Sequence, residues 1–120
     1  MAGTVTTTEK VYGSVKKITF AWTSDGSGDA DGSTTAPLDG ELVGVTTVPS
    51  VAAAPTDNYD VVLNDADGHD VALGALANRD TANTEHVARA SLAAVAHSPL
   101  TLVVSNAGAA KQGTVVVYVR

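Results

Sequence analysis

Two acidic groups and three histidines are the residues of this sequence whose types could do chemistry. Asp25, Asp29 and Asp31 surround Ser27 in a Gly/Asp/Ser stretch. Asp65, Asp67 and Asp70 surround Gly68. Clustered carboxylates of this kind can hold calcium, which takes six to eight oxygen ligands from a loop of fixed geometry. The EF-hand pattern requires Gly at its sixth position and Glu at its twelfth. Counted from Asp25, those positions hold Ala30 and Ala36; counted from Asp29, they hold Thr34 and Gly40. Neither register fits, and the first group reads as a surface loop. The second flanks a tight turn, where Asp and Gly serve the backbone. His69, His86 and His97 lack the local ligand pairs of a zinc site. Ser, His and Asp are all present, but no G-x-S-x-G elbow exists and Gly26-Ser27-Gly28 has no strand–elbow–helix context. Neither phosphate-binding glycine pattern occurs. No cysteine exists to form a disulfide, a thiolate metal site or a nucleophile. The sequence therefore predicts no catalytic, cofactor-binding or metal-binding residue, no cofactor and no enzyme activity.

The composition says what must hold these side chains in place. Hydrophobic residues make up 44% of the chain, and they are mostly small. Val (18) and Thr (15) together exceed a quarter of the residues, which favours strands. No apolar run is long enough to span a membrane. No signal peptide is visible at the N-terminus. The net charge of −6 argues against sequence-independent nucleic-acid binding, which needs a basic face. The charge is also uneven. Between Ile18 and Asn78 there is no Lys or Arg, yet ten of the thirteen acids fall there. That pattern suits either acids spent in turns or a bipolar subunit whose basic end docks on an acidic partner or a copy of itself.

Residues 14–24 alternate, with Ile18, Phe20 and Trp22 on one face, and predict a half-buried strand carrying the only Phe and Trp. Trp22 is then the core anchor; on an outward face it would be an interface hot spot or a glycan-stacking platform. Residues 25–35 read as loop. Residues 38–48 read as a strand with a bend at Gly40 or Gly44. Residues 59–63 and 70–73 read as a hairpin about Asp67-Gly68. Residues 85–97 suit helix and strand equally. Residues 100–105 and 114–119 read as strands, the last apolar on both faces and hence central or at an interface. With a short strand near residues 9–12, the expectation is all-β. It is a single-domain β-sandwich or jelly-roll-like fold of about seven or eight strands. An N-terminal arm over 1–13 would precede the sandwich domain over 14–120.

Four segments carry a resemblance: 18–25 (ITFAWTSD), 55–71 (PTDNYDVVLNDADGHDV), 77–79 (ANR) and 99–119 (PLTLVVSNAGAAKQGTVVVYV). Over most of residues 15–120 the chain resembles a group of small proteins encoded among the head genes of tailed bacteriophages. The resemblance implies a virion structural component, in particular a capsid decoration (cement) protein on the outer face of the capsid lattice. Its implied partners are the major capsid protein and further copies of itself, as a homo-trimer or homo-dimer, with no nucleic acid and no membrane. Its implied location is the virion surface after synthesis in the host bacterial cytoplasm. It carries over no catalytic or ligand residue. The competing expectations are a head–tail adaptor, a tail or fibre-associated virion protein, and a carbohydrate-binding β-sandwich.

Overall fold

The computed structural model describes residues 3–120, so the first two residues of the expected arm lie outside the described residues. The chain is all-β: among the described residues, nine strands and one 3-10 turn form a single two-sheet sandwich. The strands are β1 (Thr4–Tyr12), β2 (Val15–Thr23), β3 (Ala30–Ser33), β4 (Leu38–Pro49) and β5 (Asp60–Asn64). They continue with β6 (Glu85–Ala88), β7 (Ala94–Ser98), β8 (Thr101–Ser105) and β9 (Gln112–Val119). The larger sheet runs β1-β2-β9-β4, with β6 and β7 in succession along the far side of β4. The smaller sheet runs β3-β8-β5. All ladders are antiparallel.

The core forms where alternation along the strands puts apolar side chains on the two facing surfaces. Ile18, Phe20 and Trp22 of β2 and Val115, Val117 and Val119 of β9 come from the larger sheet. Val61 and Leu63 of β5 and Leu102 and Val104 of β8 come from the smaller one. The indole of Trp22 is 1% exposed and meets the ring of Tyr59 with centroids 5.6 Å apart, tilted by 49°. Trp22 is thus the core anchor and not an outward platform. Strand β9 lies between β2 and β4 as its apolar sequence predicts. Both bend sites foreseen in β4 are used: its register shifts near Gly40 and again between Leu42 and Gly44.

Three segments differ from expectation. The arm contains β1, which pairs with β2 over nine residues and forms the edge of the molecule's own larger sheet. Gly13, with φ 62 at the first turn position, closes that hairpin in two residues, as a type II′ turn requires. The Gly/Asp loop hides the short strand β3, because Gly32 sits where a Cβ would lie 2.6 Å from that of Val5. Close packing, not hydrophobic alternation, specifies this strand. The 70–73 return strand does not form. The Asp67-Gly68 turn is present, but Asp70 bridges back to Asn64 only singly, and Leu73 turns away with φ 54. Strand β5 pairs instead with β8.

Residues 85–97 resolve as strand, broken in the middle. β6 and β7 flank the 3-10 turn Arg89–Ser91, and the break faces the irregular part of β4. Alanine's helix propensity loses here to the open edge of β4.

Trp22→Ala is expected to cost about 3–5 kcal/mol, as for other buried large-to-Ala changes. Gly113→Ala is expected to destabilise as well, by about 1–3 kcal/mol, because the added Cβ would lie 2.5 Å from the Trp22 ring. Urea unfolding of the two variants checks both values.

Candidate functional site

Asp25, Asp65 and Asp70, three of the six candidate carboxylates, are engaged by the backbone, and so is Asp80. The Asp25 carboxylate accepts from the N–H groups of Ser27 (2.8 Å) and Asp29 (3.1 Å). Asp65 accepts from those of Asp67 (3.0 Å) and His69 (2.9 Å). Asp70 accepts from Leu63, Ala72 and Gly74, and Asp80 from Ala82 and Asn83. Each is a turn built on a carboxylate, the arrangement that places Asp in loops. The backbone N–H groups of Asp29 and Ser27 hold the Asp25 carboxyl below its ordinary value of 3.8. Those of Ala82 and Asn83 do the same for Asp80.

The histidines lie apart in role. His69 is in the Asp65 turn, and His97 takes φ 47 within β7. The His86 ring is within hydrogen-bond distance of the Thr46 hydroxyl, 2.8 Å away. Among the described residues no three His, Asp or Glu side chains come together as a metal site. The buried serines are likewise occupied. The Ser24 hydroxyl donates to the Gly108 carbonyl and accepts from the Lys111 N–H, and Ser98 accepts from the Ala66 N–H. Ser27, the serine of the Gly26-Ser27-Gly28 stretch, is exposed in the Asp25 turn.

What remains is surface. The outer face of the larger sheet is laid out in rows by the strand registers. One row reads Thr8, Thr19, Val116, Thr46 and His86; the next reads Thr6, Ala21, Thr114 and Val48. This face alternates hydroxyls with small apolar groups and bears no charge until its end. There Lys10 stands opposite Lys17, which in turn stands opposite Tyr118. A depression of about 370 Å³ opens between Thr6, Ala21, Val48 and Thr114 at the other end.

The two ends differ in charge. Lys10, Lys16, Lys17 and Arg120 gather around the β1–β2 hairpin tip and the end of β9. Asp25 and Asp29 lie at the opposite end, where the Gly3 N–H donates to the Asp29 carbonyl. The other arginines are engaged: Arg89 makes a two-pronged contact with Glu41 (2.6 and 3.2 Å), and Arg79 lies 3.8 Å from Glu85. The residues that pattern reasoning passed over are Tyr59, which completes the aromatic pair, and the glycines that let strands approach. A Cys-free, Gly-rich chain whose large aromatics are few gave one usable signal for the latter: Gly113 lies in a run of β-branched residues.

No protein-family model matches the chain, and no curated protein matches it. Among solved structures, it is similar to a cupin domain from Bordetella pertussis Tohama I at 10% identity and a TM-score of 0.44. The match covers 100% of this chain and 97% of that one. It is also similar to FlhE at 14% identity and a TM-score of 0.42, over 88% and 97% of the two chains. Likeness at this level carries no argument about activity.

The pH dependence of the Asp25 turn has a definite sign. Its folded carboxyl titrates below its ordinary value, so the turn stabilises the fold above that value and loses the contribution as pH falls through the folded value. Asp25→Ala is therefore expected to lower Tm at pH 7, and the gap to the native chain should close as pH is taken from about 4 towards 2. Parallel thermal melts across that range check it.

Proposed function

We propose that this chain is a non-enzymatic virion structural protein of a tailed bacteriophage. In this reading it is a capsid decoration protein that binds the outer face of the major capsid lattice and stabilises it. The observation that carries the reading is the division of labour in the side chains. Asp25, Asp65, Asp70 and Asp80 and the buried Ser24 and Ser98 hydroxyls are spent on backbone groups, while a broad sheet face is left with hydroxyl and small apolar groups. Such a face can pack closely over a partner without desolvating charge, and many modest contacts of this kind reinforce one another across a lattice. The resemblance of residues 18–25, 55–71, 77–79 and 99–119 to phage head proteins supports the same reading. The implied partner is the major capsid protein, and the place of action is the virion surface, reached after synthesis in the host cytoplasm.

Two alternatives are separable. A head–tail adaptor or tail component would be present in a small ring of copies per particle, a decoration protein in hundreds. A carbohydrate-binding sandwich would need aromatic rings along a groove. Phe20, Trp22 and Tyr59 are interior, which leaves Tyr12 at the hairpin tip and Tyr118 on the sheet face.

Purified chain mixed with empty phage capsids is expected to bind to saturation at hundreds of copies and to raise the temperature at which the shells open. Ala21→Arg, which drives a charge into the middle of the outer face, is expected to weaken binding by about tenfold or more while the isolated chain melts as before. Saturation at a small ring, or binding indifferent to Ala21→Arg, refutes the proposal.

A further inference from the structure

Among the described residues, the molecule treats its sheet edges unequally. The outer edge of β5 is occupied: the Val61 N–H donates to the Leu76 carbonyl, and the Val71 N–H donates to the Leu63 carbonyl. Along β4, the edge formed by β6 and β7 is interrupted by a 3-10 turn and a register shift, devices that stop further pairing. Strand β1 has none of these. It runs nine residues in unbroken register, contains no proline, and carries Thr at four of its first five positions. The two-residue turn makes Tyr12 and Val15 a hydrogen-bonded pair, so the even-numbered residues of β1 bond to β2. The N–H and C=O groups of Thr7 and Glu9 then point outward from the edge. At its start the edge is closed, because Gly3 bridges Ala30 of β3.

Charge is distributed along this edge with opposite signs at its two ends. Lys10 lies directly opposite Lys17, a like-charge pair that costs stability. Neither forms an ion pair within 4 Å among the described residues, nor does Lys16. At the other end Asp29 sits beside Gly3, and Asp31 lies exposed on β3. The hairpin tip also leaves Val11 and Tyr12 exposed, at 67% and 59%.

We propose that β1 is a self-pairing edge: two copies of this chain join antiparallel across a two-fold axis at Thr8, making one continuous sheet. Thr7 of each copy pairs with Glu9 of the other through outward backbone groups, and Thr6 stands opposite Lys10. The pairing runs over Thr6–Lys10 and ends where β3 crosses near Val5. The two-fold brings the lysine-rich tip of one copy, with Val11 and Tyr12, to the Asp29–Asp31 segment of the other. Each unbalanced Lys10–Lys17 pair thereby acquires neighbouring acids. The partner is a second copy of this chain because one edge offers both complementary ends, as a two-fold interface requires.

The test uses the isolated full chain without capsids, so its outcome is independent of the capsid reading. Sedimentation is expected to give twice the 12.1 kDa chain mass, with dissociation promoted by salt. Thr7→Pro removes an outward N–H and is expected to give a monomer of unchanged fold. The chain has no cysteine, so Thr8→Cys introduces a single thiol on the axis. A non-hydrogen-bonded cross-strand pair there is within disulfide reach, and oxidation should give a covalent dimer. Thr6→Cys, two residues away on the same face, is displaced from its symmetry mate by four residues and should stay reduced. Where Thr7→Pro fails to fold, the two cysteine variants decide alone. A native chain that stays monomeric, a folded Thr7→Pro dimer, or equal cross-linking at Thr6 and Thr8 overturns the proposal.

Discussion

Gly113 lies over the indole of Trp22, and the rest of the sandwich depends on that contact. A Cβ at Gly113 would fall 2.5 Å from Cζ2 and 3.0 Å from Nε1 of the indole, so no other residue type fits without movement of the β2–β9 pair. Trp22 in turn meets Tyr59, which immediately precedes β5 of the opposite sheet. One glycine, one indole and one phenol therefore set how far apart the sheets sit at this end. The cost is visible in two buried polar atoms, the Trp22 Nε1 and the Tyr59 hydroxyl, that have no hydrogen-bond partner among the described residues. Burial pushes the Tyr59 phenol up to about 12, against the opposing influence of the Arg79 guanidinium. The ring stays neutral throughout the ordinary pH range. Buried aromatic area outweighs an unmade hydrogen bond only where the packing is close, which is what the missing Cβ secures.

From this contact the outer face follows. The β2–β9 register that seats Trp22 beneath Gly113 also places Ala21 beside Thr114 and Thr19 beside Val116. Alternation then turns every second side chain outward, so the composition of the face is fixed by the residues between the core positions. Those residues are Thr, Ala and Val in the middle and Lys at one end. No acid falls on these rows: Glu9 alternates with the outward Thr8 and Lys10, and Asp25, Asp65, Asp70 and Asp80 are held in turns away from the face.

The alternating strands were the legible part of the fold. Ile18, Phe20 and Trp22, or Leu100, Leu102 and Val104, announce both the strand and its buried face. What could not be read was whatever depends on a distant partner. Strand β3 is a strand because Gly32 lies against Val5, and neither residue signals this locally. The Asp67-Gly68 turn was legible, but not that Asp70 would spend its carboxylate on Ala72 and Gly74 and abort the return strand. Residues 85–97 carry helix-favouring alanines, and only the open side of β4 decides against them. Of the candidate carboxylates, the turn role of Asp65 could be inferred from Gly68, three residues on. That of Asp80, four residues before the end of the long loop that leads into β6, carried no such local signal.

The unequal treatment of edges bears on how such a molecule stays discrete. A sandwich with two open edges can add copies without limit, and hydroxyl-rich strands of high β propensity would do so readily. Here the β6–β7 side is broken, the β5 side is capped by turns, and β3 is crossed by the start of β1. Among the described residues, Thr6–Lys10 is an edge segment that no bulge, turn or covering chain interrupts. Pairing through a single edge about a two-fold consumes that edge in both copies and closes the assembly. The lysine tip adds a second constraint. A parallel approach of two β1 strands would set Lys10 beside Lys10, whereas the antiparallel approach separates the tips by the length of the paired segment. In the proposed pairing, the unbroken edge of β1 sets the place of association and side-chain charge selects its direction.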